Sequence, residues 1–202
     1  MISIYNLKPK FQALLKPILE FLHRQGVTAN QITTASLVWS FIIALLFWYA
    51  DTNRFFFLAL PIGLFVRMAL NALDGMMART YNQQSKLGEV LNEVGDVVSD
   101  VAIFFPLIKY ESNSLYVVVL FICLSIINEF SGLLGKVISG ERRYDGPMGK
   151  SDRAFAIGAY GILAFIGYTN SVYTQYILLL IILLIMISTF TRLKNTLKNT
   201  MK

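Results

Sequence analysis

Residues 71–79 read NALDGMMAR and, eight residues later, 88–96 read GEVLNEVGD. Gly88, Asn92 and Asp96 follow one another at four-residue steps, and Asp100 stands one step further on. On an α-helix these positions share a face. The stretch borders one apolar run, 55–73, and enters another, 90–108. Carboxylates, amides and glycines aligned on apolar helices are costly to keep in a membrane, and they mark ion, proton or substrate sites. At about 100° per residue, Gly88, Glu89, Asn92, Glu93, Asp96 and Asp100 fall within roughly 140° of arc. Asn71, Asp74 and Ala78 repeat at i, i+3 and i+7 on the preceding helix. Two such faces meeting near one membrane surface gather oxygen ligands suited to a hard divalent cation.

The surrounding chain fits that picture. Of 202 residues 55% are apolar, and the mean hydropathy is +0.58, greasier than soluble domains. Six apolar segments stand out, at 33–50, 55–73, 90–108, 115–137, 154–168 and 172–190. A helix needs about 20 residues to cross the hydrocarbon layer, within a range of roughly 17–25. The fifth segment is short and the third carries Glu93, Asp96 and Asp100, but the brief connections around both favour counting them as spans. With the N-terminus inside, all but three of the 18 Lys and Arg residues lie on the inner side. The exceptions are Arg54 and Lys109 outside and Arg67 within a span. This asymmetry predicts six spans with both ends cytoplasmic. The net charge of +6 is then a girdle facing anionic headgroups, not a nucleic-acid footprint. The expected architecture is all-α: one integral-membrane domain over 1–202, with an interfacial helix and junction at 1–32, a six-helix bundle at 33–191 and a basic tail at 192–202.

Residues 7–24 (LKPKFQALLKPILEFLHR) form an amphipathic segment interrupted by Pro9 and Pro17. Leu14, Leu15, Ile18, Leu19 and Leu22 are expected to face lipid from the inner leaflet. No cleavable signal peptide is evident. His23, the sole histidine, is given no role. Thr28, Asn30 and Thr33 are possible N-caps for the first span. Cys123 reads as a small buried hydrophobe. Trp39, Trp48, Tyr49 and Tyr168 read as interfacial or lipid-contact aromatics. Glu129 reads as a partner for Arg67 inside the bundle, or else as cavity lining. In the longest loop, GERRYDGPMGKSD, the residues Gly149, Lys150, Ser151 and Arg153 could cradle a phosphate at a helix start. An ordinary positive-inside loop is the competing reading.

The spacing from Asn71 to Asp96 resembles the signature of the CDP-alcohol phosphotransferase (CDP-alcohol phosphatidyltransferase) family, D-x2-D-G-x2-A-R-x8-G-x3-D-x3-D. Asp74, Gly75, Ala78, Arg79, Gly88 and Asp96 match in type and interval, while Asn71 and Asn92 replace the first and third aspartates. Asn30 and Thr33 also match the family's P-N-x-x-T junction, with Ala29 in place of its proline. The resemblance implies transfer of a phosphatidyl group from CDP-diacylglycerol to a small alcohol with release of CMP, in phospholipid synthesis, at the bacterial inner membrane, by a homodimer. Glycerol 3-phosphate is the first choice of acceptor. It implies Mg2+ or Mn2+ at the motif positions Asn71, Asp74, Asn92 and Asp96; Glu89, Glu93 and Asp100, further acids on the same arc, are expected to restore the missing charge, with Glu93 as the added ligand. It implies Asp96 as the base for the acceptor hydroxyl. Asn30, Thr33, Asp74, Gly75, Ala78, Arg79 and Gly88 would bind the nucleotide, and Lys150, Ser151 and Arg153 the acceptor or lipid phosphate. If Glu93 compensates for the asparagines, Glu93→Gln should cost nearly as much activity as Asp74→Asn. A noncatalytic lipid- or nucleotide-binding relative is the main alternative. An ion-coupled transporter is a weaker one, because no paired broken helices or repeats accompany the acids.

Overall fold

The computed structural model describes residues 8–200; positions 1–7 of the N-terminal segment and 201–202 of the basic tail lie outside the described residues. Among the described residues every regular element is helical. The helices are α1 (Lys8–Arg24), α2 (Ala29–Trp48), α3 (Ala59–Thr80), α4 (Lys86–Phe104), the one-turn α5 (Leu107–Tyr110), α6 (Leu115–Ser139), α7 (Lys150–Phe165) and α8 (Val172–Thr200). Four stretches are long and apolar enough to cross a membrane: Ala29–Trp48, Arg54–Thr80, Ser112–Ser139 and Val172–Lys198. The helices α4 and α7 carry more charge and pack among them.

The segment 26–33 shows why one polar residue becomes a cap and its neighbours do not. Thr28 is extended, its Oγ1 accepts from the Gln31 amide, and the Gln31 side chain accepts from the Thr28 amide. This reciprocal box satisfies two donors at the start of α2. Asn30 and Thr33 are thereby freed to point across the bundle. The Ala29 amide is taken by Gln83 Oε1 at 2.8 Å, tying the α3–α4 turn to the start of α2.

The interior has two apolar clusters. The larger joins α2, α3, α4, α6, α7 and α8 through residues such as Ile43, Phe47, Leu60, Phe104, Phe121, Ile157 and Ile185. The smaller seats α1 on α2 and α3 through Leu15, Leu19, Ile32, Leu73 and Met77. Thus Leu15 and Leu19 of the amphipathic segment face the bundle, whereas Leu14, Ile18 and Phe21 are exposed. The expectation that Leu15 and Leu19 face lipid is corrected: α1 docks with one stripe and leaves the adjacent stripe open. His23 stacks on Tyr81, with ring centroids 3.5 Å apart. Trp39 is half-buried, and its indole donates to the Gly63 carbonyl at 3.0 Å, inside the α2–α3 contact. Cys123 is exposed, because it sits between the inward positions Phe121 and Ser125 on the outer side of α6.

Chain direction alternates, so the connections fall at two ends. One end holds the turns after α1, α3 and α6. At the other, Lys109 and Tyr110 reach the Trp48 carbonyl and Asp51, and the Asn113 amide donates to Asn170. At this second end α7 presses on the turn before α3. A Cβ on Gly161 would lie 2.7 Å from the Phe57 carbonyl oxygen, so only glycine permits that approach.

Candidate active site

At the first end, the start of α2, the end of α3, the start of α4 and the start of α7 converge. Thr33 donates to Asp74 Oδ2 at 2.9 Å. The Asn92 amide nitrogen makes a long contact to the same oxygen, at 3.4 Å. Asp74 is almost fully buried, and its Oδ1 has no hydrogen-bond partner among the described residues. A buried carboxylate oxygen without a partner is costly, and at a helix junction of this kind it marks a place for a ligand. Ser36 donates to Asn71 Oδ1 at 2.6 Å, and the Asn71 amide nitrogen faces Asp96 Oδ1 at 3.5 Å. Ser36 was not singled out from sequence, although it lies one turn beyond Thr33 on the same face of α2.

Asp96 sits between two cations. Lys150 Nζ pairs with its Oδ1, and Arg67 Nη2 approaches the same atom at 3.9 Å. The Arg67 guanidinium is chiefly committed one turn deeper, to Asp100 Oδ1 at 2.7 Å. Asp100 is also bound by Arg153 at 3.1 Å, Arg153 by Glu129 at 2.7 Å, and Glu129 by Arg142 at 2.9 Å. Arg142 ends the chain on Glu93. The result is a ladder of alternating charge running from α3 through α4, α7 and α6 to the loop after α6.

That ladder corrects several sequence expectations. Glu129 does not pair with Arg67. The helix α3 packs on α2 and α7 while α6 packs on α8 and α4, and Arg153 bridges the gap between them. Arg153 is wholly buried, with its guanidinium held by Asp100, Glu129 and Asn128. It cannot receive a phosphate without breaking these contacts. Glu93 turns toward Arg142 and not toward Asp74. Glu89 pairs with Lys136. The acids on the α4 arc therefore divide. Asp96 faces the Asp74 cluster, while Glu89, Glu93 and Asp100 are neutralised by cations from elsewhere in the chain. Among the described residues no group of three or more acids, histidines and cysteines converges as a ready metal site.

The remaining predicted residues lie on the same helix ends. A Cβ on Gly88 would lie 2.7 Å from Asn30 Oδ1, so this glycine lets the start of α2 close on α4. Gly75 and Ala78 are half-buried on α3, and Arg79 is exposed one turn after Gly75. Ser151 is half-buried in the first turn of α7. The loop 140–149 is pinned by backbone contacts. Arg143 donates to the Asn195 carbonyl at 2.9 Å, and Ser188 and Arg192 both reach the Asp145 carbonyl. An open apolar groove of about 450 Å³ runs between α2 and α4, lined by Phe41, Trp48, Val97, Val101 and Phe105 among others. It begins at Val97, the neighbour of Asp96.

An all-helical membrane bundle with carboxylates, amides and cations gathered at one end defines the class of protein. The chain belongs to the CDP-alcohol phosphatidyltransferase family, whose profile matches residues 26–193, and it is accordingly a membrane-bound transferase of phospholipid biosynthesis. It is 50% identical over 161 residues to the inner membrane protein YnbA of Escherichia coli, spanning 79% of each chain. It is 30% identical over 104 residues to the phosphatidylinositol phosphate synthase of Corynebacterium glutamicum, spanning 52% of this chain and 45% of that one. In fold it is similar to the Mycobacterium tuberculosis phosphatidylinositol phosphate synthase PgsA1 crystallised with CDP-DAG. That match has a TM-score of 0.71 at 20% identity and covers 89% of this chain and 92% of the other. The same enzyme in complex with manganese and citrate gives a TM-score of 0.70 at 21% identity, covering 89% and 87%.

Proposed function

We propose that this protein transfers the phosphatidyl group of CDP-diacylglycerol to a small alcohol and releases CMP. The observation that carries the reading is the Asp74–Asp96 cluster, where a buried Asp74 oxygen has no hydrogen-bond partner among the described residues, with Asn30, Thr33, Gly75, Ala78, Arg79 and Gly88 on the same converging helix ends. Relatives that act on or bind such lipids support it. Small residues at 75, 78 and 88 admit a nucleotide close to the backbone, and Arg79 is placed to meet a phosphate oxygen. The apolar groove beside Val97 suits a lipid acyl chain.

Asp74, with Asp96 beside it, fits a hard divalent ion, which takes one or two protein carboxylates together with substrate phosphates and water. A bound Mg2+ or Mn2+ supplies charge neutralisation on the pyrophosphate. The chain's residues do the rest. Asp96 receives the proton of the acceptor hydroxyl. The hydroxyl oxygen attacks the lipid-side phosphorus, the bond from that phosphorus to the CMP oxygen breaks, and CMP leaves with the electron pair. Ser151 and, from its seat on Asp96, the Lys150 ammonium meet a phosphate on the acceptor at the start of α7. Arg153 holds Asp100 and Glu129 behind them. Glycerol 3-phosphate remains the first choice of acceptor because the cationic start of α7 suits a phosphorylated alcohol.

The topology proposed with this chemistry has six spans, counting α2, α3, α4, α6, α7 and α8, with α1 lying on the inner leaflet. The protein is one domain over 1–202, in the inner membrane, with cytoplasmic termini and a cytoplasmic active site, working as a homodimer. The distribution of Lys and Arg supports the orientation. The test is CMP release by purified protein in liposomes, with CDP-diacylglycerol, Mg2+ or Mn2+ and a panel of acceptors. Release that depends on one acceptor is expected. Absence of release from folded protein under every condition would favour a noncatalytic binding role.

A further inference from the structure

The family motif places four aspartates where this chain has Asn71, Asp74, Asn92 and Asp96, so half of the motif's negative charge is missing. The structure shows what stands in its place. Both asparagines turn an amide N–H toward a remaining carboxylate, Asn71 toward Asp96 and Asn92 toward Asp74. The opposite orientation of Asn71 would set its carbonyl oxygen against a carboxylate oxygen, with no donor between them. As placed, the amides are donors to the acids and do not add ligand charge. The two carboxylates are also unequal. The Asp96 Oδ1 atom already faces Lys150, Arg67 and Asn71. Asp74 meets only neutral donors on Oδ2 and keeps Oδ1 buried and open.

We propose that Lys150 is a built-in cation that takes up the Asp96 side of this cluster, so that the protein binds a single divalent ion, on the Asp74 side. The inference rests on the reading of the cluster as a metal-dependent phosphatidyltransferase site. The ammonium reaches Asp96 from the first turn of α7, on a side chain that is one-quarter exposed. It is fixed there because the next turn of α7 is anchored through the wholly buried Arg153. A second divalent ion at Asp96 would have to share the carboxylate with this ammonium and lie close to Arg67. Like charges at such separations oppose each other by several kcal/mol in a partly buried site.

The experiment counts Mn2+ bound per chain by electron paramagnetic resonance on the full-length protein in detergent, with and without CDP-diacylglycerol. The wild type should saturate at one ion per chain. Lys150→Met should bind Mn2+ more tightly, by on the order of tenfold, since a competing cation is removed. Asn71→Asp/Asn92→Asp should raise the count above one. Two ions on the wild type would overturn the proposal while leaving the metal-site reading intact, as would unchanged or weaker binding by Lys150→Met. No Mn2+ on folded wild type with the lipid present would overturn both. The wild-type count and the Lys150→Met affinity decide the matter even if the doubly substituted variant fails to fold.

Discussion

The two ends of the bundle, called inner (the Asp74–Asp96 end) and outer after the proposed topology, solve the same problem in different ways. Each must close helix termini and bury polar groups beside an apolar interior. The outer end does so with neutral partners and aromatic packing. Glu111 is fully buried, yet it accepts only from the Tyr160 hydroxyl and the Asn170 amide, and burial raises its carboxyl above the ordinary glutamate range. Phe47, Phe57, Tyr110 and Tyr160 pack around it. Its one ion pair, Lys109–Asp51, is solvent-facing. The inner end instead buries an alternating ladder of ionised groups; a buried carboxylate oxygen without a partner among the described residues occurs at both ends, on Asp74 and on Glu111, so the ladder is what sets the inner end apart. An apolar core of similar volume would be at least as stable as a buried ion ladder. The charge at the inner end is therefore kept for chemistry, and the ladder holds Asp96, Lys150 and the loop in register.

The largest effect should come from the open side of the ladder. Asp74→Asn or Asp96→Asn should lower CMP release by on the order of 10²–10⁴, with folding intact by size-exclusion chromatography. Next comes the ladder's centre. Arg153→Met leaves Asp100 and Glu129 facing each other without their shared cation, and breaking a buried pair in this way costs about 3–5 kcal/mol. Thermal unfolding in detergent should show a clear loss for this variant. At the outer end, Gly161→Ala forces a methyl against Leu60 and the Phe57 carbonyl, an overpacking cost of about 1–3 kcal/mol, and should lower thermal stability without a specific effect on metal binding. The smallest effect belongs to Lys109–Asp51. The hydrogen bond from Lys109 holds the Asp51 carboxyl below the ordinary aspartate range. The contribution is present at neutral pH and is lost as pH falls past the unfolded aspartate value toward the lowered one. Asp51→Asn should leave thermal stability nearly unchanged at pH 7, and a large loss there would break the contrast between the two ends.

The polar face of α4 and the matching residues on α3 were legible because helical spacing puts them on common faces, and the Asn30–Thr33 pair through its resemblance to the family junction. The partners of the acids were not. Arg142, Lys150 and Arg153 come from a loop and helix about fifty residues downstream of the α4 acids they neutralise, and no local pattern announces such pairings. Sequence therefore overstated the free acidity of α4. It assigned Glu93 to the metal and Arg153 to a phosphate, whereas the structure commits each to the ladder. Ser36 could have been found, since it follows Thr33 by one turn, but Thr33 carried the family match and Ser36 did not. The outer end was the least legible part, because Glu111, Tyr160 and Asn170 meet only through packing of three separate elements.

The most direct test compares CMP release by Asp96→Asn and Glu93→Gln in liposomes with CDP-diacylglycerol, a divalent ion and the active acceptor. Asp96→Asn should abolish release, while Glu93→Gln, which loses only the Arg142 contact, should retain activity within about tenfold of wild type. Equal loss in the two variants would place Glu93 in the catalytic cluster, and full activity in Asp96→Asn would contradict the assignment of the site itself.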